Sequence, residues 1–331
     1  MKAIRMHEFG DASVLRFEDA PEPQPEEGEL LIQVEAAGVG FMDVEARKSG
    51  SRSSRNTDVY RPIKFPHIPG VEVSGMVIEI GPGVSGWKIG DLVMARVGGE
   101  GGYAERVTAP AWQAMPRPGS FTATEAAAFP ASYLTAYHAL HTTGQLKSDD
   151  NVMIHAASGS LGLAAIQIAR AEGSRVIAVT STAAKAQRLS ELGVELIVNA
   201  SEHDFVTAVH SYTNNEGVEL VLDSVGNDIL LRSLDALCAR GRLVIAGYSS
   251  GVQPPIPSHL LLEKGLTVAG MNLSHVNRTG AMDRSVERLL EFSAQGLIKP
   301  IIDQTLPLRE AARAHRILES REHFGKVVLV P

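Results

Sequence analysis

The chain has 331 residues, 44% of them hydrophobic and 21% charged, with a formal net charge of −7 at neutral pH. This composition fits a globular protein of about two domains and argues against non-specific nucleic-acid binding, which needs a basic surface. The single cysteine, Cys238, excludes an internal disulfide and a multi-cysteine zinc cluster, and fits a reducing compartment.

In chain order, the first part, to about residue 123, is rich in glycine, proline and short alternating apolar stretches. Residues 30–36 (LLIQVEA), 72–80 (EVSGMVIEI) and 91–97 (DLVMARV) read as strands separated by glycine turns, the pattern of a partly closed β domain. The polar stretch 49–58 is expected to be a loop. From Thr124 the pattern changes. Residues 124–144 read as a helix with Thr122 or Thr124 as its N-cap. Strands at 152–155, 175–180, 196–198, 220–222 and 243–246 alternate with helices at 161–172, 184–192, 203–212 and 228–239. Such alternation predicts a doubly wound parallel sheet covered on both faces. Residues 265–273 read as a further strand, 285–295 and 308–318 as helices, and 325–330 as a last strand. The expected domains are 1–123, 124–275 and a return to the first from 276 to 331. The N-terminal MKAIRMHEFG lacks the apolar core of a signal peptide and no apolar run is long enough to span a bilayer, so a cytoplasmic location is expected.

One stretch carries chemistry. In residues 151–170, NVMIHAASGSLGLAAIQIAR, a β-leaning run meets a turn of small residues and then an alanine-rich helical run. Small residues let backbone approach a pyrophosphate, and the free N–H groups and dipole of the helix start face the anion. The turn reads Ala157-x-Gly159-x-x-Gly162, with alanine where the fingerprint has its first glycine. The alternative is a glycine turn that only packs a helix on a sheet. Ser158, Gly159, Ser160, Leu161 and Gly162 are the expected pyrophosphate contacts. An acidic residue about 20 positions on would select NAD; here the run is Thr180-Ser181-Thr182-Ala183-Ala184-Lys185, with no carboxylate before Glu191. Thr180, Ser181 and Lys185 therefore favour NADPH. A solvated helix start capped by Ser181 or Thr182, with Lys185 exposed, is the alternative.

The ordered motifs Pro69-Gly70-Val71-Glu72-Val73-Ser74-Gly75, Gly101-Gly102-Tyr103-Ala104-Glu105, Leu134-Thr135-Ala136-Tyr137, the 155–162 turn, Asp223-Ser224-Val225-Gly226 and Gly325-Lys326-Val327-Val328-Leu329 span nearly the whole chain. With them the sequence resembles the medium-chain dehydrogenase/reductase superfamily, in its zinc-independent quinone oxidoreductase (ζ-crystallin-like) branch. The resemblance implies an α/β protein: a Rossmann domain plus a GroES-like, partly closed β-barrel domain built from both chain ends, with the cofactor between them. It implies a homodimer joined by Rossmann edge strands, here 266–271. Zinc-dependent members carry a cysteine and a histidine where this chain has Gly40 and Val71, so no metal is expected; His67, between two prolines, reads as structural or surface. Ser160 replaces the second of two adjacent glycines usual in the branch, and the backbone there is expected to differ most from relatives.

By the same resemblance, Thr135, Asn199, Val225, Ala246, Gly247, Tyr248 and Lys326 are expected at the cofactor. Without metal, hydride passes from the nicotinamide to an electron-poor acceptor, a quinone or an α,β-unsaturated carbonyl, and a donor must stabilise the developing oxyanion. Tyr60, Tyr133 and Lys64 are candidate donors. Tyr60 is favoured, against a ring packed on the surface; Tyr133 is equally readable as core. Asp43 shapes the site or forms an ordinary ion pair. An enoyl reductase acting on acyl thioesters and a non-catalytic NADPH-binding protein are the competing functions.

Overall fold

The computed structural model describes residues 1–49, 63–98, 101–251, 254–276 and 282–331. The chain divides into two compact units, residues 1–131 with 300–331, and residues 132–299. The first unit opens with the antiparallel pair β1 (Lys2–Arg5) and β2 (Arg16–Asp19). Then follow β3 (Glu29–Val39), α1 (Phe41–Ser49), β4 (Glu72–Ile80), β5 (Leu92–Arg96), β6 (Arg106–Pro110) and β7 (Ala114–Pro116). In the long β3, Leu30, Ile32 and Val34 are buried in the core of the unit, and residues 36–39 are buried in an unbroken run. Next comes α2 (Ala123–Ala127), opened by a capping box in which Thr122 and Glu125 exchange side-chain and backbone hydrogen bonds.

The expected helix over 124–144 is broken. After α2, α3 (Pro130–Tyr137) starts on Pro130, which offers no N–H to continue the preceding turn. A π-helical turn, His138–Thr143, then closes the segment. The second unit continues with β8 (Asn151–Ile154), α4 (Ser160–Ala171), β9 (Arg175–Thr180), α5 (Ala183–Glu191), β10 (Leu196–Asn199), α6 (Phe205–Tyr212), β11 (Val218–Asp223), α7 (Asp228–Ala236) and β12 (Leu237–Ile245). It ends with α8 (Ser258–Lys264), β13 (Thr267–Gly270), α9 (Leu273–Val276) and α10 (Met282–Ala294). The sheet runs β10-β9-β8-β11-β12-β13 with every pair parallel. Its order reverses beside β8, the switch point at which open α/β sheets bind ligands beyond their C-terminal strand ends. Met153, Ile177, Val198, Val221 and Leu243 fill its core, the continuous apolar strands a two-sided sheet requires.

The chain then returns with β14 (Ile302–Pro307), α11 (Ala311–Ser320) and β15 (Lys326–Val330). β15 pairs antiparallel with β3, which also pairs with β4 and β6. The contact boundaries at 131/132 and 299/300 fall later than the expected breaks at 123 and 275. α10, expected in the returning segment, stands with the second unit: its buried Ser285 meets His138 at 3.0 Å, and its Arg288 reaches Glu172 on the end of α4. No helix among the described residues is long and apolar enough to cross a membrane.

Candidate active site

The turn between β8 and α4 is built for close backbone approach. Ala157 N–H bonds Val179 O at 3.0 Å and Gly159 N–H bonds Ala156 O at 2.9 Å. Ala156 holds φ +48°, a left-handed conformation uncommon for a residue with a side chain. A Cβ on Gly162 would lie 2.5 Å from Ala156 O and 2.7 Å from Ala157 Cα, so only glycine lets α4 sit this close to the turn. A Cβ on Gly159 would meet only Ala156 O, at 3.3 Å. Gly159 is the N-cap of α4 and supplies no side-chain cap, which leaves the first helical N–H groups of Ser160, Leu161 and Gly162 to an anion. Ser160 takes the first helical position, half-buried.

The C-terminal ends of β9 and β10 bring the expected adenosine-end residues together. Thr180 is in register with Asn199, and Thr180 Oγ1 lies 3.5 Å from Ser158 Oγ. Asn199 is buried; its Oδ1 accepts from the Ser201 hydroxyl at 2.9 Å, while its Nδ2 has no hydrogen-bond partner among the described residues. A buried amide donor left open at a strand end is what a ligand oxygen would satisfy. Thr182, not Ser181, caps α5; Ser181 is exposed and Lys185 is buried. The chemistry of this set, two hydroxyls and a cation without a carboxylate, fits a phosphate.

At the ends of β11 and β12, buried Asp223 accepts from Val225 N–H at 2.7 Å and Gly226 N–H at 3.1 Å, fixing that turn. Ser249 N–H bonds Ser224 O and Ser250 N–H bonds Val225 O, each at 3.0 Å, so Val225 and the strip Ala246, Gly247 and Tyr248 form one half-buried ledge. Thr135 lies half-buried on α3. Tyr133, on the same helix, is buried, and its hydroxyl donates to Gln167 Oε1 at 2.9 Å. Burial pushes its ionisation above the ordinary tyrosine range. Gln167 also holds the Lys299 backbone through both ends of its amide. Tyr133 is thus engaged as a strut between elements of its own unit.

The first unit holds a second cluster. Asp43 Oδ2 accepts from Gly40 N–H at 2.8 Å and from the Tyr103 hydroxyl at 3.0 Å. Tyr103 also lies 3.3 Å from His315 Nε2, and its ring meets the imidazole edge-on. Burial raises the Asp43 carboxyl to about 6, opposed by the Gly40 N–H and the Lys326 ammonium. Lys326 pairs with Glu72, both buried, and the other Glu72 oxygen accepts from Ala131 N–H at 2.7 Å. Lys326 Nζ also lies 4.0 Å from where a Gly40 side chain would begin. Of the other expectations, Lys64 is exposed, His67 is buried and paired through its backbone with Met6, and Tyr60 lies outside the described residues, as does most of the 49–58 stretch. Among the described residues no group of three or more His, Cys, Asp or Glu is placed to hold a metal ion. Sequence reasoning missed the roles of Tyr103, His315 and Glu72. Tyr103 and His315 are 212 residues apart, and His315 sits on the apolar stripe of α11 with Ala311, Ala314 and Leu318, where it reads as core.

A model of the alcohol dehydrogenase GroES-like domain matches residues 26–119, and one of the zinc-binding dehydrogenase matches residues 160–291. Quinone oxidoreductase 1 of Escherichia coli (strain K12) is 33% identical over 332 residues, 99% of each chain. A 2-haloacrylate reductase of a Burkholderia species is 30% identical, covering 99% of this chain and 98% of its own. The crystal structure of Escherichia coli quinone oxidoreductase complexed with NADPH superposes with a TM-score of 0.91 at 32% identity, covering all of both chains. A parallel switch-point sheet with a glycine turn, joined to a GroES-like β unit, defines a two-domain oxidoreductase. The chain belongs to the quinone oxidoreductase branch of the medium-chain dehydrogenase/reductase superfamily.

Proposed function

We propose that this protein is an NADPH-dependent reductase that delivers hydride to a quinone or an α,β-unsaturated carbonyl without a zinc ion. One observation carries the cofactor: the end of β9, where Thr180 and buried Lys185 stand with no carboxylate. The solved Escherichia coli relative is complexed with NADPH, and the Burkholderia relative is named for reducing an electron-poor alkene, which supports the acceptor class. Gly40 and Val71 carry no ligating side chain, so the positions where zinc-dependent members bind metal lack two of the three protein ligands a catalytic zinc needs.

When bound, the cofactor supplies the hydride. The α4 N-terminus and the Gly159–Gly162 turn hold its pyrophosphate. Thr180, Ser181 and Lys185 hold the 2′-phosphate, and Asn199 Nδ2 donates to the same half. Val225, Ala246, Gly247, Tyr248 and Thr135 line the nicotinamide half. Asp43, whose carboxyl burial raises to about 6, supplies the proton, and Lys326, oriented by Glu72, adds positive potential where the oxyanion develops. Tyr60 is the second donor to that oxygen. The protein acts as a cytoplasmic homodimer joined through β13, an edge strand of its sheet.

The test is oxidation of NADPH and NADH with separate panels of quinones, enones and acyl thioesters. NADPH turnover with quinones or enones is expected. Turnover with acyl thioesters alone would move the protein to enoyl reduction, tight NADPH binding without turnover would make it a binding protein, and preference for NADH would sink the cofactor reading. One zinc per chain by metal analysis would overturn the metal-free chemistry. Light scattering showing a monomer would remove the dimer.

A further inference from the structure

Within the first unit, Asp43, Tyr103 and His315 form one buried hydrogen-bonded chain, with relative exposures of 2%, 0% and 0%. Its direction follows from counting protons. An ionised carboxylate only accepts, so the single proton of the Tyr103 hydroxyl points at Asp43 Oδ2. His315 Nε2 must then carry its own proton and donate it to the Tyr103 oxygen, which leaves Nδ1 bare. Nδ1 indeed has no hydrogen-bond partner among the described residues. The chain therefore runs one way, from His315 through Tyr103 to Asp43.

Oδ2 of Asp43 receives two donors, the Gly40 N–H at 2.8 Å and Tyr103 at 3.0 Å. A carbonyl-type oxygen offers two lone-pair directions, and both are taken. A proton on Oδ2 would have to displace one of these two donors. We propose that Tyr103 and His315 are positioning residues for the reduction, clamping Asp43 Oδ2 as a fixed acceptor so that Oδ1 is the oxygen that carries and delivers the proton. This rests on Asp43 being the proton source. The acceptor takes hydride from the reduced nicotinamide and one proton from Asp43. The Oδ1–H bond breaks, an O–H bond forms on the acceptor, and the carboxylate regains one proton from water.

The charges around this chain set the sign of its pH response. Asp43 is faced by Lys326 from β15, which favours the carboxylate, and by Glu72 from β4, which opposes it. His315 is faced by Arg47 and Lys48 from α1 and by Glu319 on its own helix; burial and Arg47 hold it neutral, near 3. Tyr103 stabilises the carboxylate, so removing its hydroxyl raises the Asp43 carboxyl further. The loss of one charge-assisted bond corresponds to about one pH unit.

Two readouts test this. Difference infrared titration of the Asp43 carboxyl, assigned with Asp43→Asn, needs no turnover. Tyr103→Phe should move its midpoint up by about one unit. His315→Leu should move it the same way by less, and His315→Gln, whose amide N–H replaces Nε2–H, should restore it. The descending limb of kcat against pH with NADPH should follow the infrared midpoint in each protein. An unmoved midpoint in folded Tyr103→Phe, or identical midpoints in His315→Leu and His315→Gln, overturns the clamp. If Tyr103→Phe does not fold, the two His315 variants decide. A kcat limb that ignores the midpoint overturns delivery from Asp43. Absence of turnover with every acceptor would sink the proposed function and delivery together, and the infrared shifts would still report the clamp separately.

Discussion

Asp43 carries a carboxyl held at about 6 against an ordinary 3.8, so between these values the folded state binds a proton that the unfolded chain does not. Its contribution to stability is complete below 3.8 and is lost as pH rises through 6. At pH 8 the buried charge costs on the order of 2–3 kcal/mol. Asp43→Asn keeps an oxygen for Gly40 and Tyr103 and removes the charge. Its melting temperature at pH 8 should therefore equal or exceed that of the unsubstituted protein, while turnover falls at least about 100-fold, as loss of a general acid requires. A large drop in melting temperature would contradict this. Lys185 is the second decisive residue. Lys185→Met keeps the aliphatic stem and removes the charge, so the NADPH dissociation constant should rise roughly 10- to 100-fold with little change for NADH, the worth of one charge-assisted phosphate contact. Equal effects on both cofactors in a binding titration would take Lys185 away from the 2′-phosphate.

The β8–α4 element depends on how closely its helix approaches its own turn. Gly162→Ala places a methyl 2.5 Å from a backbone oxygen that cannot move without unseating the turn. Overpacking of this kind costs about 1–3 kcal/mol, which for a unit of this size lowers the melting temperature by roughly 2–12 °C. Cofactor affinity should fall with it. Gly159→Ala meets only one atom, at 3.3 Å, and its φ of −79° suits any residue, so its melting temperature should stay within about 3 °C of the unsubstituted protein. Equal damage from both would show that the close approach at Gly162 is not what sets the two glycines apart. The strand–turn–helix order was readable because apolar period, small residues and helix start all point the same way there. Helix 124–144 was misread because residues 128–129, where the chain breaks before Pro130, are alanine and phenylalanine and carry no turn signal; only the proline after them does.

Across the whole molecule, three buried histidines share one behaviour. Burial lowers His138 to about 4, and His155 and His315 to about 3, each below the ordinary 6.5. His155 is wedged against Phe205 and 2.8 Å from Ser233 Oγ; His138 lies between Thr142 and Ser285. The unfolded chain takes up protons that the folded chain refuses, so this stability is present above 6.5 and is lost as pH falls toward 3–4. Asp43 works in the opposite direction between 3.8 and 6. For these four groups the net dependence near pH 5 is about two protons, or on the order of 3 kcal/mol per pH unit. The urea midpoint should fall steeply from pH 7 to pH 5, and His155→Gln should flatten that slope whatever it does to stability at pH 7. A slope unchanged by His155→Gln would mean that His155 is already protonated in the fold.

Sequence alone determined the sheet of the second unit, the glycine turn and the hydroxyl-and-lysine run after β9, because each is a local pattern in which period, turn chemistry and charge lie within some thirty residues. It also determined that Gly40 and Val71 cannot ligate a metal, since side-chain identity is enough. Only the tertiary structure decided that Tyr133 spans to Gln167, that Lys326 pairs with Glu72, and that Asp43, Tyr103 and His315 form one chain. The physical reason is that these contacts join residues from 34 to 254 positions apart. The burial that sets the protonation of Asp43 and His315 exists only once β15 and α11 have returned to the first unit.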